Sequence, residues 1–467
     1  MEKSVNASEI GKPLVIQNHC KRILFGTDGV RDVANKGDMT PEMALRLGRS
    51  FVLFLTERGI PRPRIVVGRD TRRSGTMLEG ALAAGMASAG AEVLSVGVMT
   101  TPGVNFAVRH VSADGGAVIS ASHNPAEYNG IKFLNRDGGK LSDEDELNIE
   151  EYLSDNLTDE WRPTGASVGE IRSLPGITQN YAAHLASYVK HVDALPQSML
   201  FDCAHGAAGA VLPSLMERLG TRWPVIGAEP DGMNINEGVG VIYLSHLADN
   251  VKALKYKIGF AYDGDADRML MVDSKGRPID GDIVMWVLAR WLASQKELGT
   301  GVVATVMSNK ALEERLAGDN IKLFRCAVGD RYVVEAMKQH GARLGGEQSG
   351  HIIAETYAGT GDGLCTTIMM LNACFELNED IDTLVERFGR YPQRLTNLTL
   401  AGGKSIDPDL IMSLSNEEEN KMAGLGRVYI RPSGTEPLLR ILVEAKDQSL
   451  VDEVSERLAG ILKERCS

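Results

Sequence analysis

Basic charge, aromatic residues and paired cysteines are all scarce in this chain of 467 residues. Lysine and arginine number 50 against 62 acidic residues, for a formal net charge of −12. That balance argues against a protein that wraps nucleic acid along a broad basic face. Aromatics supply 5% of the residues. The six cysteines, at 20, 203, 326, 365, 374 and 466, form no C-x-x-C pair and no zinc spacing. Such scatter argues against a disulfide framework and a structural zinc site, and it predicts a reducing compartment. Residues 1–22 hold no apolar stretch long enough for a signal peptide, and no later run approaches a membrane span. The expectation is a cytoplasmic protein without membrane or nucleic-acid partners. Its polar segment 1–22 is expected to form a loose N-terminal arm.

Glycine is plentiful, at 50 residues, and apolar residues reach 43%. Length and composition together predict several α/β domains with many turns. From residue 40, strand and helix signals alternate. Thr40-Pro41 opens a helix with proline at its first position. Residues 64–68, 92–96 and 116–120 read as strands, with a helix near 77–89. The turn-rich stretch 161–176 ends this unit. A second unit carries a helix near 178–193, a strand at 199–203, a helix near 208–219 and a strand at 258–262. A third carries strands at 301–305 and 322–326, with helices from Asn309 and Asp330. The tail differs, with strands near 394–400, 426–431 and 438–444 and then a helix whose apolar positions share one face. The alternation predicts layered α/β units with mostly parallel strands, with a cleft between units for a ligand. Self-similarity between the units is too weak to read as a repeat.

Four stretches carry candidate chemistry. Asp263-Gly-Asp265-Ala-Asp267-Arg268 places three carboxylates on alternate positions behind the apolar run 258–262. Converging carboxylates repel unless a cation lies among them, and an all-oxygen set suits Mg2+ before Ca2+. The competing reading, an acidic cap on a strand end, explains an isolated D-x-D better than this cluster. Ser122-His123-Asn124-Pro125 lies past a buried strand, where open α/β sheets place ligands, and Ser122 could be a nucleophile or phosphate carrier. An ordinary turn is the equal alternative for this stretch taken alone. Lys132 follows closely. Gly346-Glu347-Gln348-Ser349-Gly350-His351 offers close backbone approach and polar groups to a hydroxyl-rich ligand, with a polar hairpin as its rival. Arg431-Pro432-Ser433-Gly434-Thr435, with Arg440 beyond, has the makings of a phosphate cradle. A further glycine-rich loop, 25–31, ends in Arg31. The inventory of hydroxyl, metal site, polyol reader and phosphate cradle fits phosphoryl transfer on a sugar phosphate.

Taken together and in this order, these stretches resemble the α-D-phosphohexomutase family from about Leu24 to the end of the chain. Met307-Ser-Asn309, Val328-Gly-Asp-Arg-Tyr-Val333 and Thr360-Gly-Asp-Gly363 point within it to the branch that interconverts glucosamine 6-phosphate and glucosamine 1-phosphate. The resemblance implies an α/β fold: three related mixed-sheet, helix-sandwiched domains and a smaller α+β C-terminal domain around a central cleft. The expected bounds are 23–175, 176–276, 277–390 and 391–467. Ser122 is implied as the phosphoserine, with Ser122, Asp263, Asp265 and Asp267 holding Mg2+. His123, Lys132 and Arg31 are implied around the reacting phosphate, with His351 as a further acid/base candidate. Glu347 and Ser349 are implied on the sugar hydroxyls. Arg431, Ser433, Gly434, Thr435, Arg440 and Arg268 are the expected phosphate-binding residues. The implied partners are a small phosphosugar and a hexosamine bisphosphate that activates the enzyme and serves as its intermediate; the chain is expected as a monomer or a homodimer. The alternatives are a phosphoglucomutase or phosphomannomutase, a metal-dependent phosphatase, and a non-catalytic phosphosugar-binding protein. Asp32, His205, Ala266 and Pro432 depart from the amino-sugar pattern. Ala266 stands where glycine is usual, which predicts a negative φ at that position.

Overall fold

The computed structural model describes residues 24–26, 28–154, 162–399, 407–432 and 438–466. The expected arm, 1–22, lies outside them. Four sheets follow one another along the chain. The first has strands β1 (Val30–Val33), β2 (Arg64–Arg69), β3 (Glu92–Val98), β4 (Gly115–Ile119), β5 (Tyr128–Leu134) and β6 (Ile171–Ser173), in the order β1-β5-β4-β2-β3-β6. The second has β7 (Met199–Asp202), β8 (Val225–Ile226), β9 (Ile258–Tyr262), β10 (Met269–Asp273) and β11 (Pro278–Ile279), ordered β11-β10-β9-β7-β8. The third has β12 (Val302–Thr305), β13 (Leu323–Cys326), β14 (Leu344–Gly346) and β15 (Ile352–Ala354), ordered β13-β12-β14-β15. The last is antiparallel, with β16 (Gln393–Thr399), β18 (Leu438–Ala445) and β17 (Gly426–Pro432) side by side.

The repeat that residue identities concealed is plain in the topology. Strands β4-β2-β3, β9-β7-β8 and β14-β12-β13 are parallel trios with the same connection order. Each trio then turns back through an antiparallel neighbour: β5, β10 or β15. Pairing is therefore more mixed than the strand–helix alternation predicts. The turns between β4 and β5, β9 and β10, and β14 and β15 carry Ser122, the three aspartates, and Glu347 to His351. The same corner of the same topology is used three times.

Most helices follow their sequence signals. Pro41–Glu57 begins behind Thr40, whose hydroxyl accepts the Met43 N–H at 3.2 Å. The helix predicted near 178–193 stops at Ala186. The reason is tertiary: the Asn372 amide donates to Tyr188 O at 2.8 Å and accepts the Lys190 N–H at 3.1 Å, drawing the chain out of helical geometry. The tail holds an additional helix, Pro408–Lys421, behind the Asp407 cap.

One apolar cluster runs through the first three domains, from Val66 and Val104 through Phe201, Phe260 and Trp291 to Phe388. The C-terminal domain has a core of its own, built from Val428, Ile441, Val451, Leu458 and their neighbours. Polar groups join it to the third domain: the Asn309 amide donates to Tyr391 O and Glu444 Oε1 at 3.0 and 3.2 Å, and Arg427, paired with the buried Glu444 at 2.7 Å inside the C-terminal sheet, donates to Ser308 O at 3.1 Å. Among the described residues no helix is long and apolar enough to cross a membrane. Cys203, Cys326, Cys365 and Cys374 are free thiols.

Candidate active site

Ser120 leaves strand β4 to bond Asp70, and the chain turns sharply at Ser122, which has φ +51°. A left-handed backbone costs an L-residue roughly 1–2 kcal/mol, so the surroundings must hold it. Arg72 does so from beneath. Its side chain is buried, pairs with Asp70 at 2.9 Å, and donates to the carbonyls of Ser122 at 3.0 Å, Asn124 at 2.8 Å and Pro125. Asn236, from the second domain, donates to the Ser122 and Asn124 carbonyls at 2.9 and 3.0 Å. The Ser122 hydroxyl is thereby aimed across the domain boundary at Asp263 Oδ2, 2.6 Å away. His123 Nδ1 lies 3.3 Å from the same hydroxyl.

The acidic loop meets it from the end of β9. Asp263, Asp265 and Asp267 are buried, and each brings an oxygen within 4.8 Å of the others. Oδ1 of Asp265 and Oδ1 of Asp267 are buried without a hydrogen-bond partner. Unpartnered carboxylate oxygens converging beside a serine hydroxyl are the donor set of a hard cation, so the residues fit a metal. Glycine is required at two close approaches here. A Cβ on Gly264 would stand 2.7 Å from the Ser122 carbonyl oxygen, and one on Gly206 would strike the Gly264 backbone. Ala266 corrects an expectation: its φ is +56°, so it adopts the left-handed conformation that a negative φ was predicted to avoid. Its methyl group is fully buried, and at about 0.8 kcal/mol per buried carbon this offsets part of the strain. His205 and Ala204 are left-handed too, at φ +50° and +53°.

Electrostatics divides the acids. Burial, reinforced by the charges of Asp267 and Asp265, holds Asp263 well above the usual carboxylate range. Burial would raise Asp265 as well, but the Lys132 ammonium and the Thr101 hydroxyl outweigh it and hold this carboxyl low. Lys132 is buried 2.8 Å from Asp28, 3.2 Å from Asp265 and 3.9 Å from Asp267. Burial opposes its charge, yet Asp265 and Asp28 push its pKa up, so it stays an ammonium. His123 is pushed down to about 4 by burial and by the Arg268 and Arg31 guanidiniums, which leaves a neutral ring. Arg268 Nε lies 3.9 Å from both Asp263 and Asp267. Arg31 pairs with Asp28.

The third domain closes the group. His351 Nδ1 lies 4.0 Å from Asp267, and its Nε2 is buried with no hydrogen-bond partner, 3.9 Å from Asp330. Glu347 accepts the Gly329 N–H at 3.2 Å and lies 3.5 Å from the Ser349 hydroxyl. Ion pairs tie this domain to the first: Lys140 bridges Asp28 and Asp330, and Arg331 reaches Asp143 and, at 2.8 Å, Glu146. Ser122, His123, Lys132, Arg31, the aspartates, Arg268 and His351 thus share one cluster, with Glu347 and Ser349 on the neighbouring turn. Arg431 and Arg440 face each other in register on β17 and β18 of the C-terminal domain. Ser433, Gly434 and Thr435 lie outside the described residues.

Sequence reasoning missed Asp28, Asp70, Arg72, Thr101, Lys140, Asn236 and Asp330. Asp28 sits inside a stretch already singled out, and its place beside Arg31 was an available signal. Asp330 likewise sits inside the quoted stretch 328–333, and the rest are ordinary polar residues whose contacts with the site reach far along the chain.

Four family domains match the chain in order: phosphoglucomutase/phosphomannomutase α/β/α domain I over residues 22–159, domain II over 179–276, domain III over 280–391 and the C-terminal domain over 395–461. A phosphoglucosamine mutase of Anoxybacillus flavithermus is 43% identical over 443 residues, covering 94% of this chain and 98% of its own. One from Leuconostoc mesenteroides is 44% identical over 447 residues with the same coverage. A phosphoglucomutase/phosphomannomutase family protein of Burkholderia thailandensis superposes with a TM-score of 0.77 at 24% identity, covering 94% of this chain and 97% of that one. Three α/β domains of one topology, a separate antiparallel tail and a serine aimed at a buried aspartate triad complete the agreement: the chain belongs to the phosphohexomutase family.

Proposed function

We propose that this phosphohexomutase interconverts glucosamine 6-phosphate and glucosamine 1-phosphate through a phosphoserine and a sugar bisphosphate. The observation that carries the reading is the Ser122 hydroxyl held 2.6 Å from Asp263 within a buried carboxylate triad. The full-length relatives named phosphoglucosamine mutase support the amino sugar as substrate. Oxygen donors at Asp263, Asp265, Asp267 and Ser122 select a hard dication, Mg2+, which supplies charge neutralisation to the transferring phosphoryl group.

Ser122 carries the phosphoryl group. In the first half-reaction a sugar hydroxyl oxygen bonds to phosphorus while the P–Oγ bond breaks, its electron pair going to Oγ. The hydroxyl proton passes to His351 at Nε2. In the second half-reaction Oγ attacks the other phosphate of the bisphosphate, and the proton returns to the sugar oxygen that leaves. Lys132 cannot be the base, because its neighbours keep it protonated; it acts as a fixed positive charge, as do Arg31 and Arg268. Neutral His123, 3.3 Å from the Ser122 hydroxyl, adds no charge of its own to these three. Glu347 and Ser349 hold the sugar hydroxyls. Arg431, Ser433, Gly434, Thr435 and Arg440 hold the phosphate that is not reacting. The bounds 23–175, 176–276, 277–390 and 391–467 assign one of these tasks to each domain, and the reducing cytoplasm is the proposed setting.

Arg431-Pro432 favours a second reading, the glucose or mannose branch. Isomerisation of glucosamine 6-phosphate beside glucose 6-phosphate, with Mg2+ and a trace of bisphosphate, separates them. Preference for the amino sugar is expected, and preference for glucose 6-phosphate moves the chain to the other branch. Ser122→Ala is expected to abolish turnover and keep sugar-phosphate binding; an active variant would overturn the phosphoserine.

A further inference from the structure

Asp265 differs from its two neighbours in the triad: it is bound from the first domain by both backbone and side chain of one residue. The Thr101 hydroxyl donates to Asp265 Oδ2 at 2.6 Å, and the Thr101 N–H donates to the Asp265 carbonyl at 2.9 Å. Thr101 is itself fixed. It is the first residue of helix Thr101–His110, behind the Thr100 cap, whose hydroxyl accepts the Gly103 N–H at 3.0 Å, and Pro102 follows it. It is 6% exposed, so water does not compete for the bond.

The carboxylate geometry follows from this contact. Oδ2 is taken by Thr101 and, at 3.2 Å, by Lys132. Oδ1 is left buried without a hydrogen-bond partner, in a residue that brings an oxygen within 4.8 Å of those of Asp263 and Asp267. Thr101 therefore decides which oxygen of Asp265 is presented. It also registers the acidic loop, in the second domain, against the domain that carries Ser122.

We propose that Thr101 is a positioning residue for the metal site, setting cation affinity by holding Asp265 with Oδ1 free. The proposal rests on reading the aspartate triad as a metal site. Residues that orient a ligand in this way typically change metal affinity 10–100-fold when removed. Thr101→Val keeps the shape and deletes the hydroxyl, and Thr101→Ser keeps the hydroxyl.

The test is Mn2+ binding by electron paramagnetic resonance, beside the Mg2+ dependence of mutase activity. Thr101→Val is expected to weaken Mn2+ binding and raise the half-saturating Mg2+ about 10–100-fold, with kcat recovering at saturating metal. Thr101→Ser should stay near the original chain in both. Unchanged Mn2+ affinity in Thr101→Val, or a loss in Thr101→Ser as large as in Thr101→Val, would overturn the proposal. If Thr101→Val does not fold, Thr101→Ala replaces it, with the same two outcomes. Failure of the unsubstituted protein to bind Mn2+ would instead overturn the metal-site reading.

Discussion

Replacing Arg72 with methionine removes the support beneath Ser122 without touching a reacting group. Arg72 is 1% exposed and Asp70 is 0% exposed, so neither water nor a counterion takes the vacated place. The Ser122 and Asn124 carbonyls keep the Asn236 amide. Pro125 O loses the Arg72 donor, and the Asp70 carboxylate keeps only Ser120 and the backbone N–H of residue 72. Breaking a buried ion pair from one side costs about 3–5 kcal/mol, a large part of a domain's total stability. Most of that cost is the stranded carboxylate, so Asp70→Asn in the same chain should recover about 1–3 kcal/mol. Arg72→Lys should fall between, since one ammonium cannot serve a carboxylate and several carbonyls in a plane. Urea midpoints and hydrogen exchange of the 120–130 amides measure stability and its location. Turnover should fall about 100-fold or more in Arg72→Met as Ser122 relaxes from φ +51°, since a displacement near 1 Å costs that much. A variant within about 1 kcal/mol of the original chain, with unchanged exchange at residues 120–125, would refute the argument. So would an Asp70→Asn partner substitution that makes matters worse.

Two pH effects follow from the buried acids. Burial and the charges of Asp267 and Asp265 raise the Asp263 carboxyl well above the usual carboxylate range, so Mg2+ binding should displace the proton that Asp263 holds and should weaken as pH falls. Calorimetry in two buffers of different ionisation enthalpy counts that proton, and a count of zero contradicts the assignment. Asp282 is pushed up to about 7 by burial and then by the Asp280 charge, from an ordinary value of 3.8. The native state therefore binds the extra proton, so this group's stabilisation is present at low pH and is lost as pH rises through about 7. Asp282→Asn should have a larger unfolding free energy than the original chain at pH 8, by on the order of a few kcal/mol, with a smaller gap at pH 6, read from urea midpoints at the two pH values. A gap independent of pH would sink this reading.

The parts of the site that were legible in sequence are those whose chemistry is local. Asp263, Asp265 and Asp267 lie within five consecutive positions, and no packing is needed to see that their charges require a cation. The Ser122 and Glu347 to His351 stretches lie directly beside apolar strands, which located them at strand ends. The supports were hidden because each is a pair of ordinary residues joined only by folding. Thr101 and Asp265 are 164 positions apart, and Arg72 and Ser122 are 50 apart. The threefold repeat was hidden for a related reason. It consists of strand order and pairing direction, which many apolar sequences satisfy, so residue identities need not repeat. Ala266 shows a local rule overridden: the preference of an L-residue for negative φ lost to the geometry that three converging carboxylates impose.

The close approach at Gly264 bears on how this enzyme can change. Its Cα faces the Ser122 carbonyl with no room for a methyl group. An added carbon would have to move one loop away from the other, because the atom it meets on the serine loop is the Ser122 backbone oxygen rather than the end of a side chain. The gap it would widen is the one between Ser122 and the aspartates. Most glycine-to-alanine changes are read out as stability, yet here the first casualty would be the separation of the reacting partners. Position 264 works as a spacer of fixed thickness, and tuning of this enzyme by substitution has to come from the outer faces of the two loops rather than from the seam between them.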